Sequence, residues 1–253
     1  MKRKQKNIHL IVPMAGKGTR FIGYSELPKP MIPYNNEPLF VHAVESIKRL
    51  IKPATITFIV REEHCKEFGL YDEIRRYYPD LSTVFVLVLH GDTRGAAETV
   101  FAGMRSLLEV TIADFNDGML VMDCDLEFNS SILNRKNLES VENAVFSFNS
   151  VMNKYSFAEV DDQGYVVRTA EKKPISNNAL TAPYYFGNLG DYADAYRVLD
   201  ANYDNNHEMY VSNIYNILIH NMGRTVKLYP DCWDFVTLGT PEDIEKLKQQ
   251  DAC

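Results

Sequence analysis

Residues 13–20 read Pro-Met-Ala-Gly-Lys-Gly-Thr-Arg and follow a largely apolar run that starts at Ile8. Glycines let backbone N–H groups approach an anion closely, and successive N–H groups in a tight turn form an anion nest. Lys17 and Arg20 add charge, and a guanidinium such as Arg20 can grip two phosphate oxygens at once. Taken alone, Gly-x-Gly-x-Arg fits a plain glycine-rich turn with solvated cations equally well. It is not GxGxxG, because Phe21 stands where the third glycine would be, and it is not a Walker A motif. Further on, Pro28 and Pro30 flank Lys29 and stiffen its backbone. A lysine held rigidly beside a phosphate nest suits charge stabilisation. A second chemical group lies at Asp123 and Asp125, which close the apolar stretch 118–122. Paired carboxylates at a strand end are costly unless a cation joins them. A hard divalent ion such as Mg²⁺ takes carboxylate oxygens together with substrate phosphates.

These groups need a scaffold, and the residue pattern predicts one. Apolar, β-branched stretches at 8–14, 55–60, 83–89 and 118–126 read as buried strands. They alternate with helical patterns at 38–51, 62–78 and 95–108, where Phe40, Val44, Ile47 and Ile51, and then Val100, Phe101, Met104 and Leu108, share faces. Alternating strands and helices with near-continuous apolar strands imply a Rossmann-like α/β fold: a mostly parallel central sheet with helices on both faces. After residue 140 the pattern changes. A strand at 144–151, a hairpin turning at 162–164, a strand near 182–188, helices near 190–203 and 210–222 and a strand at 225–230 predict added antiparallel strands. The final helix opens with Thr240 as N-cap, Pro241 at its first position and Asp243 completing a capping box. No linker separates the halves. The expected organisation is a flexible basic tail at 1–7, one domain over 8–248 and a short tail at 249–253. In parallel sheets ligands bind at the carboxyl ends of the strands, which is where residues 14–20 fall.

Composition excludes several classes. The 253 residues are 45% hydrophobic, and the net charge of −7 argues against a nucleic-acid partner. No apolar run is long enough to span a membrane, and the basic start leads into a charged turn rather than a cleavage site. Cys65, Cys124, Cys232 and Cys253 show no CxxC spacing and read as free thiols of a reducing, cytoplasmic compartment.

The turn Gly16–Arg20, Pro28-Lys29 and the segment that follows together resemble the sugar-1-phosphate nucleotidylyltransferases, also called NDP-sugar pyrophosphorylases. Residues 93–100, Thr-Arg-Gly-Ala-Ala-Glu-Thr-Val, resemble that family's loop along the nucleobase. Residues 171–174, Glu-Lys-Lys-Pro, resemble its Glu-Lys-Pro segment, and 233–244 resemble its closing Trp-x-Asp-x-Gly-Thr segment. The resemblance covers roughly 8–248. It implies a reaction between a nucleoside triphosphate and a phosphorylated acceptor, such as a sugar 1-phosphate, that releases pyrophosphate. It implies Arg20 and Lys29 as catalytic residues, and Pro13, Ala15, Gly16, Lys17, Gly18, Thr19, Gly95 and Ala96 on the nucleotide. It implies Glu171 and Lys172, with Lys173 as a rival, on the acceptor. It places the metal-binding aspartate at Asp125, with Asp123 behind it. The family's second metal aspartate falls on Thr237 here, and Asp234 is the nearest substitute. Ala182-Pro183 replaces a family glycine, and the C-terminal β-helix of some relatives is not expected. Three other readings stay open: a cytidylyltransferase for a phospho-alcohol such as phosphocholine, with Tyr184, Tyr185 and Trp233 caging a quaternary amine; a glycosyltransferase using Asp123 and Asp125 for its metal; and a catalytically inactive regulatory relative. The nucleobase, the acceptor and the oligomeric state are not legible.

Overall fold

The computed structural model describes residues 6–204 and 206–251. The first half alternates as expected: β1 (Ile8–Met14), α1 (Leu39–Ile51), β4 (Thr55–Arg61), α2 (Glu62–Phe68), α3 (Leu70–Tyr77), β5 (Val84–Leu89), α4 (Ala96–Glu109) and β6 (Gly118–Val121). Between β1 and α1 lies a small ribbon of β2 (Pro33–Tyr34) and β3 (Glu37–Pro38). Strand β1 pairs in parallel with β4 on one side and β6 on the other, and β5 extends the parallel set beyond β4. After β6 come β7 (Leu126–Phe128), α5 (Arg135–Glu139), β8 (Asn143–Asn149), β9 (Ser156–Val160), β10 (Val166–Glu171) and β11 (Asn178–Phe186). The chain closes with α6 (Leu189–Ala201), α7 (Val211–His220), β12 (Val226–Tyr229), β13 (Phe235–Thr237) and α8 (Pro241–Asp251). Strand β11 joins β6 antiparallel and carries the antiparallel extension, β8 and the β9–β10 hairpin; β12 returns parallel to β8.

Two core layers hold this sheet. Phe40, Val44, Ile47 and Ile51 of α1 are buried against one face, with Leu10, Val12 and Phe58. Val100 and Met104 of α4 are buried on the other face with Ile11 and Ile59, joined by α6 and α7. Each such side chain contributes about 1.5–3 kcal/mol through burial. Phe101 and Leu108 are only partly buried, because Ala97, Gly103 and Leu107 take the innermost positions of α4.

The expected helix at 62–78 is two helices, broken where Gly69 adopts a left-handed conformation (φ 68°). The expected strand at 118–126 is also two elements. Strand β6 stops at Val121, and residues 122–125 turn so that β7 leaves the main sheet to pair antiparallel with β13. Asp123 and Asp125 therefore lie in a turn at the carboxyl edge, not on one strand face. Lys6, which the expected organisation puts in the tail, donates to the Gly187 carbonyl. Residues 1–5, 252 and Cys253 lie outside the described residues. Cys65, Cys124 and Cys232 are free thiols.

At the opposite edge of the sheet, His9 is buried, with Nδ1 2.8 Å from Thr55 Oγ1 and Nε2 3.3 Å from Asp117 Oδ2. Burial lowers the imidazole pKa although Asp117 opposes that shift. The native ring thus binds fewer protons than the unfolded one just below the ordinary value of 6.5. The stability it confers is present above that value and is lost as pH falls through it. A His9→Gln variant should show this as a difference. The gap in Tm between wild type and variant should narrow as pH is lowered from about 7.5 to about 5.5. A gap that stays constant would show that the ring does not titrate in this window.

Candidate functional site

Strand β1 ends at Met14, and the chain enters the glycine turn at the carboxyl edge of the parallel strands. Gly18 has φ 63°, and a Cβ there would stand 3.1 Å from Lys29 Cβ. The glycine thus supplies a left-handed bend and lets the Lys29 segment lie directly against the turn. The Phe21 amide donates to the Gly18 carbonyl at 2.9 Å, starting a 3-10 turn that carries Arg20. A second 3-10 turn, Lys29–Met31, begins after Pro28.

Lys29 and Asp125 form the central pair: Nζ lies 2.6 Å from Oδ2, and both side chains are 17% exposed. Burial works against the Lys29 charge, but Asp125 and Cys124 together outweigh it and the ammonium pKa is raised. Asp123 is instead driven towards its neutral form. Burial first, and then the charge of Asp125, push its carboxyl above the ordinary carboxylate range. Between them, the buried Cys124 thiol is pushed up to about 12 by burial, so it stays protonated and inert.

Three clefts meet here. One of about 350 Å³ is lined by Pro13, Ala15, Gly16, Lys17, Gly95 and Ala96, with Arg61 and Asp92. A second, of about 320 Å³, runs along Gly18, Thr19, Arg20, Lys29 and Asp125. A third, of about 210 Å³, holds Arg20, Asp125, Glu171 and the aromatic side chains of Phe148, Tyr155, Tyr184 and Phe235. Asp123 lines all three. Every expected nucleotide residue thus falls on the first two clefts, and both expected catalytic residues on the second.

The wall at Gly95 is built from afar. Its φ is 148°, and a Cβ there would lie 2.5 Å from Met209 O. Met209 bridges the loop: its amide donates to the Arg94 carbonyl and its carbonyl accepts from the Ala97 amide, each at 2.9 Å. Lys17 is paired with Asp92 at 2.7 Å, and Arg61 meets the same carboxylate at 2.5 Å.

Glu171 reaches the third cleft, where its carboxylate accepts from the hydroxyls of Ser156 and Ser212. Lys172 does not line any of the three clefts; its Nζ donates to the Tyr210 hydroxyl at 2.8 Å. Lys173 is absent from the linings too, and Lys154, from the loop before β9, lines the third cleft instead. The expectation that Asp234 shares a cation with Asp125 is not met. Antiparallel pairing sets Thr237 opposite Leu126, beside Asp125, and carries Asp234 away to Asn129, whose amide bonds its carbonyl at 2.7 Å. Asp234 is exposed and lines none of the clefts. Nor do Tyr184, Tyr185 and Trp233 form a cage. Tyr185 is buried in the core and Trp233 is 58% exposed, while Tyr184 alone faces the third cleft.

Sequence reasoning missed Arg61, Asp92, Lys154 and Glu208. Arg61 carried a usable signal, a charge at the carboxyl end of a buried strand. The others stand on loops with no local pattern. Among the described residues no group of three or more histidine, cysteine or acidic side chains gathers as a cation cage. Asp123 and Asp125 suit a cation that takes most of its remaining ligands from phosphates and water. No helix of the described residues is long and apolar enough to cross a membrane.

No protein-family model matches the chain, and no curated protein sequence matches it. Solved structures do. The nucleoside-diphosphate-sugar pyrophosphorylase of Vibrio cholerae RC9 superposes with a TM-score of 0.83 at 25% identity, over 95% of this chain and 100% of that one. A Bacillus anthracis protein assigned as a glucose-1-phosphate thymidylyltransferase, solved with sucrose, superposes with a TM-score of 0.74 at 17% identity, over 96% and 94% of the two chains. The likeness carried by the glycine turn and Pro28-Lys29 therefore extends through the whole architecture: the chain has the nucleotidyltransferase fold of the NDP-sugar pyrophosphorylases.

Proposed function

We propose that this protein is a nucleotidylyltransferase that joins a nucleoside triphosphate to a sugar 1-phosphate, giving an NDP-sugar and pyrophosphate. One observation carries this reading. A groove with a cation-rich glycine turn and a separate cleft with a carboxylate and aromatic walls open onto the same junction, at Arg20, Asp123 and Asp125. That is the geometry of two substrates meeting at one phosphorus. The nucleotide lies in the groove, with its base on Gly95 and Ala96 and its phosphates on the turn. The acceptor lies in the cleft, where Glu171 can accept from sugar hydroxyls. The similarity to a structure described as a nucleoside-diphosphate-sugar pyrophosphorylase supports the same class.

In the proposed reaction an acceptor phosphate oxygen attacks the α-phosphorus in line. The new P–O bond forms as the bond to the β-phosphate breaks, and pyrophosphate leaves. No protein nucleophile is needed, so catalysis is positioning plus charge stabilisation. Arg20 grips the departing phosphates. Lys29 neutralises charge on the α-phosphate and the incoming oxygen, exchanging Asp125 for phosphate as its partner. Asp125, with Asp123 beside it, would hold Mg²⁺, which supplies Lewis-acid neutralisation of the phosphate oxygens when bound.

The aromatic wall of the third cleft favours a second reading, a phospho-alcohol acceptor with a quaternary ammonium group. Phe148 lies against Tyr155 and Phe235 with ring centroids 4.9 and 4.8 Å apart, and aromatic faces attract such cations. Pyrophosphate release from a panel of triphosphates, offered with sugar 1-phosphates or phosphocholine, decides between the two. The first reading expects release with a sugar 1-phosphate and none with phosphocholine. No release with any pair would overturn the transferase assignment.

With the productive pair, Arg20→Ala and Lys29→Ala should each lower kcat by about 10²–10³-fold, the scale of one lost charge-stabilising donor. Arg20 is exposed, so its variant should keep the wild-type Tm. Normal turnover in either variant would remove that residue from the chemistry.

Activity should vanish in EDTA and return with Mg²⁺. Asp125→Asn should be inactive at any Mg²⁺ concentration, and Asp234→Ala should need the same Mg²⁺ concentration as wild type for half-maximal rate. Turnover in chelator would sink the metal assignment, and a raised Mg²⁺ requirement in Asp234→Ala would restore that residue to the site.

A further inference from the structure

The first two clefts form one groove, because Pro13, Gly16, Lys17, Asp123 and Glu208 line both. Gly95 and Ala96 belong to one end only; Gly18, Arg20 and Lys29 belong to the other only. On the transferase reading, on which this inference rests, the first end takes the base and the second the phosphates. The ribose must then lie at the shared stretch. Two shared residues carry carboxylates. Asp123 also opens onto the acceptor cleft and stands beside Asp125, so its place is at the reacting phosphates. Glu208 is left for the sugar.

Glu208 is held where a reader of the ribose needs to be. The backbone bonds of Met209 to Arg94 and Ala97 pin its segment to the base loop. A Cβ on Gly95 would meet Glu208 Cγ at 2.8 Å, so the side-chain stem lies against the backbone on which the base rests. Arg94 is itself fixed by Glu98 and, at 2.7 Å, by Asp200 of α6. A carboxylate beside the triphosphate would repel it. The Glu208 carboxylate accepts from the Tyr210 hydroxyl, and beside the ribose its remaining lone pairs can accept from vicinal hydroxyl donors. The base edge has its own candidates in Arg61, Asp92, Thr93 and Thr99, which line the base end alone.

We infer that Glu208 is a specificity-determining residue whose carboxylate accepts hydrogen bonds from the ribose 2′- and 3′-hydroxyls, so that the protein selects ribonucleoside over 2′-deoxyribonucleoside triphosphates. Losing a hydrogen bond to a charged acceptor weakens binding by about 10–100-fold.

The test is calorimetric titration of the full-length protein, without acceptor, with ATP, GTP, CTP and UTP and the 2′-deoxy form of each. For the base bound best, wild type should bind the ribose form about 10–100-fold more tightly than the deoxy form. Glu208→Ala should bring the two affinities together by weakening the ribose form, and Glu208→Gln, which keeps one acceptor oxygen, should retain part of the difference. Glu208 is exposed, so both variants should melt with wild type. A wild-type ratio near one, an unchanged ratio in Glu208→Ala, or equal losses for both sugar forms would each overturn the inference while leaving the transferase reading standing. Binding of none of the eight nucleotides would overturn both.

Discussion

The site depends on the ion pair between Lys29 and Asp125. Each charge sits in a largely enclosed place where, alone, it would be costly. The pair links the segment after the glycine turn to the turn after β6, two stretches far apart in sequence. Gly18 makes the link possible, since a side chain there would press on Lys29. Removing either partner would leave the other uncompensated, so the glycine, the lysine and the aspartate act as one unit. The pair also keeps a cation and an anion facing the place where phosphates and a metal ion would divide them. On the proposed reading, substrate binding would exchange charged partners and would not bury new bare charge.

Much of the rest follows from where β6 stops. Had the strand run on to Leu126, as its apolar pattern suggests, Asp123 and Asp125 would have pointed to one face of the main sheet. The chain instead turns at 122–125 and sends β7 out to pair with β13. That turn lets Asp123 line three clefts at once. The same β7–β13 ribbon decides which residue of the closing segment approaches Asp125. Antiparallel register brings Thr237 near, and Asp234 is carried to the far end. Counting residues along 233–244 could not reveal this, because it is a property of pairing, not of spacing.

The division between legible and illegible residues has a physical basis. The parallel sheet could be read because burial on both faces demands continuous apolar strands, and α1 because Phe40, Val44, Ile47 and Ile51 repeat at helical spacing. Gly16 to Arg20 and Lys29 could be read because a left-handed turn packed against the Lys29 segment needs glycine, and a rigid lysine needs its prolines. The breaks at Gly69 and Val121 were harder, since a left-handed glycine and an apolar residue in a turn look locally like continuations. Lys154 and Glu208 carry no local pattern. Their roles come from loops folded over strands that lie far away in the chain, and only the assembled clefts show what they face.

The two halves of the chain accordingly do different work. The parallel half, β1 through β6, delivers the glycine turn and Lys29 after β1 and the Gly95 loop after β5, so the proposed phosphate and base contacts are set by short stretches with strong local rules. The antiparallel half supplies Tyr155, Glu171 and Tyr184 from β11 and the β9–β10 hairpin and the stretch leading into it, and it sends Met209 back to close the base loop. Strand β11 is the seam, pairing with β6 on one side and with β8 on the other. A change in the antiparallel half can reshape the acceptor cleft without disturbing the parallel strands that carry the phosphate turn, whereas a change in β1 or β6 moves both sites together. On the proposed reading, acceptor choice would be free to vary on one side of the seam while the phosphate contacts on the other side are held by the sheet.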